Sequence, residues 1–385
     1  MVSELPTPSV LVERRRLEDN IARMQVRANE AGARLRPHIK THKSVAIARW
    51  QQAAGAQGIT VATPSEAVIF ADAGFSDIRL AYTVATEGKL RRLAAHADQT
   101  QITFCVDTLE GAKMASTVFG EAGKTARVLI EVDCGYGRCG LPWAEAASVR
   151  VVRDIAALPN LEVVGLLTHG GQGYRGPASP EESLDDALLR AMHEERDRTL
   201  EFAERLGEAG LARPGEFEIS IGSTPTMAHF EQHERAGFRI TELRPGNYVF
   251  NDAIQVGLGV ATLRQCALTV RASVISKHRE RGRERLYIDA GKKVFTSDTG
   301  YGTAGYGIPL YSAHSMHPMP HLRIVALSEE HGWLQAGGGS TLDVGNQLRI
   351  VPNHACTTVA QQDRLYLVDG NDLVQEIAVD ARDRT

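Results

Sequence analysis

Cysteine is scarce in this sequence, with five residues among 385. A small, odd number of cysteines in a long chain argues against a disulfide framework and is typical of reduced thiols. No run of about 18 apolar residues is present, which excludes a transmembrane helix. The first residues also lack the basic and apolar segments of a signal peptide. We therefore expect a cytoplasmic protein.

The sequence also lacks a large excess of either charge, because it has 43 basic and 47 acidic residues and a net charge of −4. This excludes the basic footprint of a nucleic-acid-binding protein and a cationic face for membranes. Apolar residues make up 43% and charged residues 23%, which are ordinary globular values and exclude global disorder. We expect a small-molecule partner, with neither nucleic acid nor membrane.

The first two-thirds of the chain alternates strand-like and helix-like segments. The strand-like segments are short, rich in Val, Ile and Leu, and apolar on both faces, as buried parallel strands are. Eight such strands with helical crossovers predict a (β/α)8 TIM-type barrel in the α/β class, and an open doubly wound sheet is the rival. The candidate strands are Arg34–Lys40, Gly58–Thr63, Ile78–Val84, Gln101–Asp107, Ala126–Asp133, Val163–Gly170, Glu216–Ser223 and Ile240–Tyr248.

The pattern changes near Val256, after which short strands and turns follow with little helix. This indicates a second, C-terminal all-β domain. We predict a barrel over residues 10–255 and a β-domain over 256–385 together with 1–9, although strand Ser9–Val12 fits either. The candidate strands are Cys266–Ile275, Arg285–Asp289, Arg323–Ser328, Gln347–Val351 and Leu365–Val368.

Lys40 stands at the end of the first candidate strand, where a barrel places its chemistry. A lysine with a lowered pKa at such a position can form a Schiff base with a carbonyl compound. His38 and His42 flank it at alternate positions, so on a strand all three share one side. An ordinary strand-end lysine paired with an acid is the alternative from residue type alone.

Two glycine-containing segments stand at the carboxyl ends of the seventh and eighth candidate strands, Gly222-Ser223-Thr224 and Gly246-Asn247. Barrels bind phosphate at these loops, because glycines let main-chain N–H groups approach an anion and hydroxyl groups add donors. Tight turns explain the same residues equally well. Arg138, after the fifth strand, either opposes an anionic oxygen or is solvated.

His354 and Cys356 lie two residues apart near the C-terminus, so on a strand they point the same way. Imidazole and thiolate suit zinc, and a site with two protein ligands leaves positions for water or substrate. A single His-x-Cys pair is more often structural.

With these residues in place, the sequence resembles the D-threonine aldolase and D-serine dehydratase family. These are fold-type III pyridoxal-phosphate enzymes, related in their barrel to bacterial alanine racemase. The segment Arg36–Lys43 resembles the motif of the cofactor lysine, and the similarity covers nearly the whole chain in order. It continues through Glu131–Gly140, His169-Gly170, Ser220–Thr226, Arg244–Tyr248, Asp289–Gly291, Ser328–Gly332 and Pro352–Thr358.

The resemblance implies a barrel that binds pyridoxal 5′-phosphate, joined to a β-domain, in a homodimer. It implies that Lys40 carries the cofactor, that Arg138 faces the cofactor's phenolic oxygen and that His169 lies near the ring. It also implies a set of residues that hold the phosphate group. That set is Gly222, Ser223, Thr224, Gly246, Asn247 and Tyr248.

The resemblance further implies that His354 and Cys356 are ligands of a divalent metal, Zn²⁺ or Mn²⁺. Some D-threonine aldolases have His-x-Asp at this place, so His354-Ala355-Cys356 is closer to the dehydratase pattern. Some aldolases also carry a histidine base after the sixth strand. Here Tyr174 stands nearest to that place, as a catalytic candidate beside Lys40 and His169.

The expected reaction is a lyase reaction on a β-hydroxy-D-amino acid. We favour aldol cleavage to glycine and an aldehyde, because the whole chain resembles the D-threonine aldolase group most. Dehydration of D-serine to pyruvate and ammonia is the alternative, and racemisation without a metal is a more remote one. A non-catalytic pyridoxal-phosphate carrier is the fourth reading, but such carriers are single barrels without the extra 130 residues.

Overall fold

The computed structural model of the chain describes residues 1–280, 283–337 and 339–382. The chain forms two compact units. The barrel unit comprises Met24–Lys40 and Ile47–Gly246. The β unit comprises Met1–Arg23, Thr41–Ala46 and, among the described residues, 247–382. The expected fold class, an α/β barrel with a second, mostly β domain, is confirmed.

The helices and strands are short and alternate through the first two-thirds of the chain. The helices are α1 (Arg14–Glu30), α2 (Val45–Ala53), α3 (Pro64–Asp72), α4 (Glu87–His96), α5 (Leu109–Glu121), α6 (Ala146–Ala156), α7 (Leu184–Glu208), α8 (Thr224–Met227), α9 (Ala253–Gly257), α10 (Lys292–Phe295) and α11 (Ala355–Ala360). The strands up to residue 243 are β1 (Ser9–Glu13), β2 (Arg34–Leu35), β3 (Ile59–Val61), β4 (Asp77–Thr83), β5 (Gln101–Val106), β6 (Ala126–Asp133), β7 (Leu141–Pro142), β8 (Leu161–Thr168), β9 (Glu218–Ile221), β10 (Glu234–Arg235), β11 (Phe238–Arg239) and β12 (Glu242–Leu243). The later strands are β13 (Leu268–Glu280), β14 (Arg283–Ile288), β15 (Ile308–Ser312), β16 (His317–Pro318), β17 (Leu322–Leu327), β18 (Gly332–Ala336), β19 (Gln347–Val351), β20 (Arg364–Asp369) and β21 (Asp372–Ala378).

Parallel strands form the sheet of the barrel unit in the order β2-β12-β9-β8-β6-β5-β4-β3. An isolated parallel bridge between His38 and Thr60 joins the two ends of this order. The strands are buried on both faces, as their continuous apolar sequences predict. Because all strands of a barrel point the same way, their carboxyl ends meet at one rim.

The helices of the barrel unit begin where the sequence supplies capping side chains. Thr63, Thr108 and Ser183 each accept a hydrogen bond from a main-chain N–H in the first turn of α3, α5 and α7. In the part of the chain that the structure describes, no helix has the length and apolar character needed to span a membrane.

The β unit is built on a sheet in the order β16-β15-β19-β13-β1-β20-β21. The long strand β13 also pairs with β14, which continues to β18 and β17. Strand β1 lies between β13, to which it is antiparallel, and β20, to which it is parallel. The N-terminal strand, which fits either domain by sequence, therefore belongs to the β unit.

The compact units divide the chain at other positions than the proposed domains 10–255 and 256–385 with 1–9. Residues up to Arg23 count with the β unit because β1 pairs with its strands β13 and β20, and the barrel unit ends at Gly246. Short helices also interrupt the β unit, at α9, α10 and α11, where the sequence suggested little helix.

A largely buried ionic network joins Glu242 of β12 to Arg79 of β4 and to Arg36. Glu242 accepts from Arg36 Nε at 2.6 Å and from Arg79 Nη1 at 2.7 Å. The side chains of Arg79 and Glu242 are 0% exposed and that of Arg36 is 2% exposed. Burial raises the pKa of Glu242, but the guanidinium groups of Arg79 and Arg36 outweigh it and hold this pKa at about 2.

The Glu242→Gln variant is expected to lower the free energy of unfolding at pH 7 by roughly 3 kcal/mol, because the buried guanidinium groups of Arg36 and Arg79 lose their shared carboxylate. Each keeps one other carboxylate partner, Asp77 for Arg36 and Glu218 for Arg79. Since the pKa of Glu242 is depressed, its contribution is present above the unfolded value of about 4.3. The contribution is lost as the pH falls towards 2. Urea unfolding of both proteins between pH 7 and pH 3 measures this difference.

Glu162→Gln is the matched control, because Glu162 pairs with Arg127 at the surface and is 52% exposed. It should change stability by less than about 1 kcal/mol. A Glu242→Gln protein as stable as the wild type at pH 7 would show that the network contributes nothing net.

Candidate active site

Lys40 does not lie on a strand, which corrects the sequence-based expectation. Strand β2 ends at Leu35, and Lys40 is the middle residue of a 3₁₀ turn, Ile39–Thr41. Pro37 lacks an N–H for a strand ladder, and the N–H of Lys40 points to Nδ1 of His38 at 3.5 Å. The three residues His38, Lys40 and His42 therefore do not share one side of a strand.

Lys40 lines a cavity of about 290 Å³ in the barrel unit. The cavity lies at the rim where the strands end, and three of the predicted site residues meet in it, namely Lys40, Arg138 and His169. The structure adds polar residues that sequence reasoning did not assign to the site. These additional lining residues are His38, Glu131, Cys139 and Arg244.

Positive charge exceeds negative charge around this cavity. Lys40, Arg138 and Arg244 face a single carboxylate, Glu131. Glu131 accepts from Cys139 Sγ at 3.0 Å and from Arg138 Nη2 at 3.4 Å. Arg244 donates from Nε to Ser220 Oγ at 3.1 Å, and its buried Nη2 has no partner within the described residues. This arrangement suits a ligand with negative charge.

His169 is held as a neutral imidazole beside the lysine. Burial lowers the pKa of His169 well below its usual value, and the positive charges of Lys40, Arg244 and Arg138 lower it further. The ring of Tyr136 packs edge-on against it with a centroid distance of 5.7 Å. A neutral, oriented ring can pack against an aromatic ligand without competing for its anionic groups.

Tyr174 lies apart from this group. It ends the 3₁₀ turn Gly171–Tyr174 after β8 and does not line the Lys40 cavity. The next residue, Arg175, donates to the carbonyl of Tyr136 at 2.8 Å, with its guanidinium carbon 5.3 Å from the Tyr136 ring centroid. A catalytic role for Tyr174 stays a prediction.

The Gly222-Ser223-Thr224 segment turns the chain from β9 into α8, with Ser223 as the N-cap. Gly222 has a φ of +126°, a conformation that other residues rarely adopt. Its N–H donates to Glu195 at 3.0 Å, and the N–H of Ser223 points to Thr226 Oγ1 at 3.2 Å. These two N–H groups therefore serve the shape of the loop, and phosphate binding by this segment stays a prediction.

Glu195 organises that loop, and sequence reasoning missed it. This buried residue of α7 accepts from the N–H of Gly170 at 2.7 Å, the N–H of Gly222 and Thr226 Oγ1 at 2.7 Å. It thus ties the loops after β8 and β9 together, while burial raises the pKa of its carboxyl. The sequence contains a pattern that could have identified Glu195. This residue continues the apolar face of α7, on which Leu188 and Met192 lie at helical spacing.

Gly246 is the last residue of the barrel unit, while Asn247 and Tyr248 open the β unit as part of a 3₁₀ turn, Asn247–Val249. Asn247 donates from Nδ2 to Asp252 at 2.6 Å, and its buried Oδ1 has no partner in the described chain. Tyr248 is 3% exposed. The sequence placed these three residues on a strand, but β12 ends at Leu243 because Pro245 lacks the N–H that a ladder needs.

His354 and Cys356 are also not on a strand. Pro352 follows the end of β19, and His354 is the N-cap of α11, within which Cys356 lies. The N–H of Ala355 donates to Asp252 at 2.8 Å, which fixes the start of this helix. The two side chains nevertheless come together, because His354 and Cys356 are hydrogen-bonded to each other.

A carboxylate that the sequence did not indicate orients the imidazole. His354 Nδ1 donates to Asp298 Oδ2 at 2.6 Å, and Thr357 Oγ1 donates to the same oxygen at 2.9 Å. Burial lowers the pKa of His354, but Cys356, Asp252 and Asp298 outweigh it and raise this pKa to about 10. With Nδ1 committed to Asp298, Nε2 is the nitrogen that remains for a metal, in the carboxylate–histidine arrangement that metal sites use.

The arrangement brings together two candidate metal ligands, His354 and Cys356. Within residues 1–280, 283–337 and 339–382, no group of three or more His, Cys, Asp or Glu side chains is placed to hold a metal. Thr41, the residue after Lys40, lies with its Oγ1 3.2 Å from Cys356 Sγ. The imidazole, the thiol and the orienting carboxylate suit a borderline-soft divalent ion whose other positions are open.

The sequence matches known proteins over nearly its whole length. The family model for the alanine racemase N-terminal domain matches residues 12–253, and a serine dehydratase domain model matches 267–368. The chain is 33% identical to the D-threo-3-hydroxyaspartate dehydratase of Delftia sp. (strain HT23), over 93% of this chain and 92% of that one. It is 30% identical to the D-threonine aldolase of Arthrobacter sp., over 95% of this chain and 90% of that one.

The chain belongs to the D-threonine aldolase and D-serine dehydratase family. Members of this family are fold-type III pyridoxal-phosphate enzymes, and this family member is a pyridoxal-phosphate-dependent lyase. The D-serine dehydratase of Dictyostelium discoideum is 28% identical to it, over 97% of this chain and 96% of that one.

Solved structures agree with this assignment of the family member. A cysteine-to-alanine variant of the D-threo-3-hydroxyaspartate dehydratase, in the metal-free form, superposes with a TM-score of 0.86 at 31% identity. The match covers 98% of each chain. A histidine-to-alanine variant of that dehydratase superposes with a TM-score of 0.87. The two substituted residues are two positions apart in that enzyme, as His354 and Cys356 are in this family member.

The Lys40 cavity of this family member fits pyridoxal phosphate. It combines a lysine amine, a neutral imidazole and two guanidinium groups, and one guanidinium nitrogen is buried with no hydrogen-bond partner among the described residues. Its volume of about 290 Å³ is at the small end of ligand sites, as expected for a compact cofactor.

Proposed function

We propose that this enzyme dehydrates a β-hydroxy-D-amino acid to a keto acid and ammonia, with pyridoxal phosphate and a divalent metal. The observation that carries the proposal is the Lys40 cavity, where an amine stands beside the neutral ring of His169. Dehydration begins with removal of the proton on Cα, and an amine in the cavity is suited to that step. A homodimer, with a D-amino acid as its small-molecule partner, remains part of this proposal.

Pyridoxal phosphate, when bound, supplies a conjugated ring that accepts the electrons released at Cα. Lys40 would bind the cofactor through Nζ and, once released, take the proton from Cα. Arg138 would donate to the phenolic oxygen, and His169 would pack near the ring. Gly222, Ser223, Thr224, Gly246, Asn247 and Tyr248 would surround the phosphate.

His354 and Cys356 would hold the metal, and Zn²⁺ is favoured over Mn²⁺ because a thiolate is a soft ligand. A divalent ion at this place supplies Lewis acidity towards the hydroxyl group that leaves. Asp298 keeps the imidazole oriented through Nδ1. The His-x-Cys pattern supports dehydration, because a histidine and a cysteine at the same spacing are the residues substituted in the dehydratase structures.

Aldol cleavage is the second candidate, and it is the reaction that the sequence alone favours. The similarity to the Arthrobacter D-threonine aldolase over 95% of the chain supports it. Cleavage of the Cα–Cβ bond needs a base for the hydroxyl proton. Tyr174, the candidate from the sequence, does not line the Lys40 cavity, and for this reason we place dehydration first.

Product analysis separates the two reactions. With D-serine, D-threonine and D-threo-3-hydroxyaspartate we expect keto acid and ammonia in equal amounts, and no glycine. The corresponding L-isomers should react at least about a hundredfold more slowly, because inverting Cα misplaces the bond to be broken by about 1 Å or more. Chromatography of keto acids and glycine, with an ammonia assay, measures all the products. Glycine plus aldehyde as the main products would establish aldol cleavage instead, and equal rates for both hands would refute the stereochemical expectation.

A further inference from the structure

The β unit contains a second cavity, of about 630 Å³, that has no part in the proposed reaction. We name it the arginine cavity after Arg271 and Arg349, which line it together with Glu13. All of these residues belong to the β unit.

Arg271 and Arg349 lie directly opposite each other on the antiparallel strands β13 and β19. Like charges in directly opposed positions repel, so a sheet gains nothing from this pair by itself. Arg271 is 3% exposed, which makes the repulsion a buried one. Such a pair calls for a negative partner nearby.

No carboxylate within the described residues forms an ion pair with either arginine. Arg271 donates to the main-chain carbonyls of Ser3 and Leu5 and to the side-chain oxygen of Gln347. Arg349 donates from Nε to Thr269 Oγ1 at 2.6 Å. In the part of the chain that the structure describes, its two terminal nitrogens have no hydrogen bond.

The surroundings add further positive charge. Burial lowers the pKa of Arg349 to about 10, Glu13 raises it, and Arg16 and Arg271 lower it again. Burial also lowers the pKa of Arg271, while Asp289 raises it. Among the side chains that line the cavity, Arg271 and Arg349 accompany the single carboxylate of Glu13. Positive charge is therefore in surplus at the cavity.

We propose that the arginine cavity is a binding site for a doubly charged oxyanion, a hydrogen phosphate or a small dicarboxylate. Arg349 binds the ligand with its two terminal nitrogens, in the forked geometry that guanidinium groups offer to oxyanions. Arg271, held by Ser3, Leu5 and Gln347, supplies charge at a fixed position. Glu13 opposes the ligand and so limits its affinity.

Calorimetric titration of the holoenzyme tests the site with two probes, sodium phosphate and sodium malonate, at constant ionic strength. The holoenzyme is required because bound cofactor occupies the other phosphate site, and its visible absorbance reports any binding near Lys40. We expect one site per chain for at least one probe, with the visible spectrum unchanged. The probe that binds more tightly shows whether the site prefers a phosphate or a dicarboxylate.

Three variants distinguish ligand binding from a purely structural role, because they should change the affinity in different directions. Arg349→Gln should weaken binding at least about tenfold, since a charge-assisted forked contact is lost. Glu13→Gln should tighten binding several-fold, because it removes the opposing charge and keeps the oxygen that accepts from the N–H of Gly370. Arg323→Gln, at an exposed position of β17, is the matched control and should leave the affinity unchanged.

Three results would overturn the proposal. The first is that sodium perchlorate gives the same heats as phosphate and malonate. The second is that Glu13→Gln binds both probes no more tightly than the wild type. The third is that neither probe binds at concentrations of about 10 mM. If the probes fail and Arg349→Gln changes sedimentation of the protein, the cavity is a contact with a second copy and the proposal is wrong. Glu13→Gln keeps the test decisive if Arg349→Gln does not fold.

Discussion

Replacing Lys40 by alanine is expected to remove the visible absorbance of the lysine-bound cofactor and to lower the lyase rate by at least about 10⁴-fold. The physical reason is that Lys40 is the one lysine that lines the barrel cavity in the part of the chain that the structure describes. In the proposed function, Lys40 provides both the covalent attachment and the base for Cα, and the variant would lose both. Absorbance spectra of the purified protein and rates at saturating substrate measure the two effects.

Lys113→Ala is the control for this prediction, because Lys113 lies exposed on α5 and should keep full absorbance and activity. Circular dichroism verifies that Lys40→Ala is folded. The assignment would be refuted by a Lys40→Ala protein that borohydride still traps as a cofactor adduct at another lysine.

Replacing His354 by alanine and removing metal with a chelator is expected to lower the lyase rate by about 10³-fold relative to the metal-containing wild type. The absorbance of the bound cofactor should not change. A bound metal contributes several kcal/mol through charge stabilisation, and each 1.36 kcal/mol is about tenfold in rate. Asp298→Asn should act through His354, because Asp298 accepts from its Nδ1. It should weaken metal binding about 10- to 100-fold. Metal analysis, the rate and the visible spectrum of each variant give the three readouts.

His331→Ala is the matched control, since His331 is an exposed histidine of the same unit. Re-addition of zinc should restore the chelated wild-type enzyme and His331→Ala but not His354→Ala. Full activity of His354→Ala after exhaustive chelation would mean that the reaction needs no metal at this place.

The barrel could be predicted from the sequence because buried parallel strands leave a strong pattern. The segments Gln101–Asp107 and Ala126–Asp133 agree with β5 and β6 almost to the residue, since both faces of these strands are apolar. The segments Arg34–Lys40 and Ile240–Tyr248 were predicted too long. The observed β2 and β12 have two residues each, because Pro37 and Pro245 interrupt the ladders.

The structure brings several of the predicted site residues together, but not through the backbone geometry that the sequence indicated. Lys40, Arg138 and His169 come together in the cavity although Lys40 stands on a 3₁₀ turn. His354 and Cys356 meet through a helix start rather than along a strand. Asp298, which orients His354, is 56 residues away in sequence, and no local pattern marks such a partner. Glu195 could have been found, because a glutamate on the apolar face of a long helix needs an explanation.

The pairing of strand β1 constrains the order in which parts of the newly synthesised chain can fold. Its partners in the sheet are β13 and β20, which start at residues 268 and 364. A strand at residues 9–13 must therefore wait for almost the entire chain to be synthesised before its edges are covered. The barrel unit, which is complete at Gly246, can fold in the meantime. Because contacts of such long sequence separation form slowly, closure of the sheet around β1 is expected to be the last step of folding.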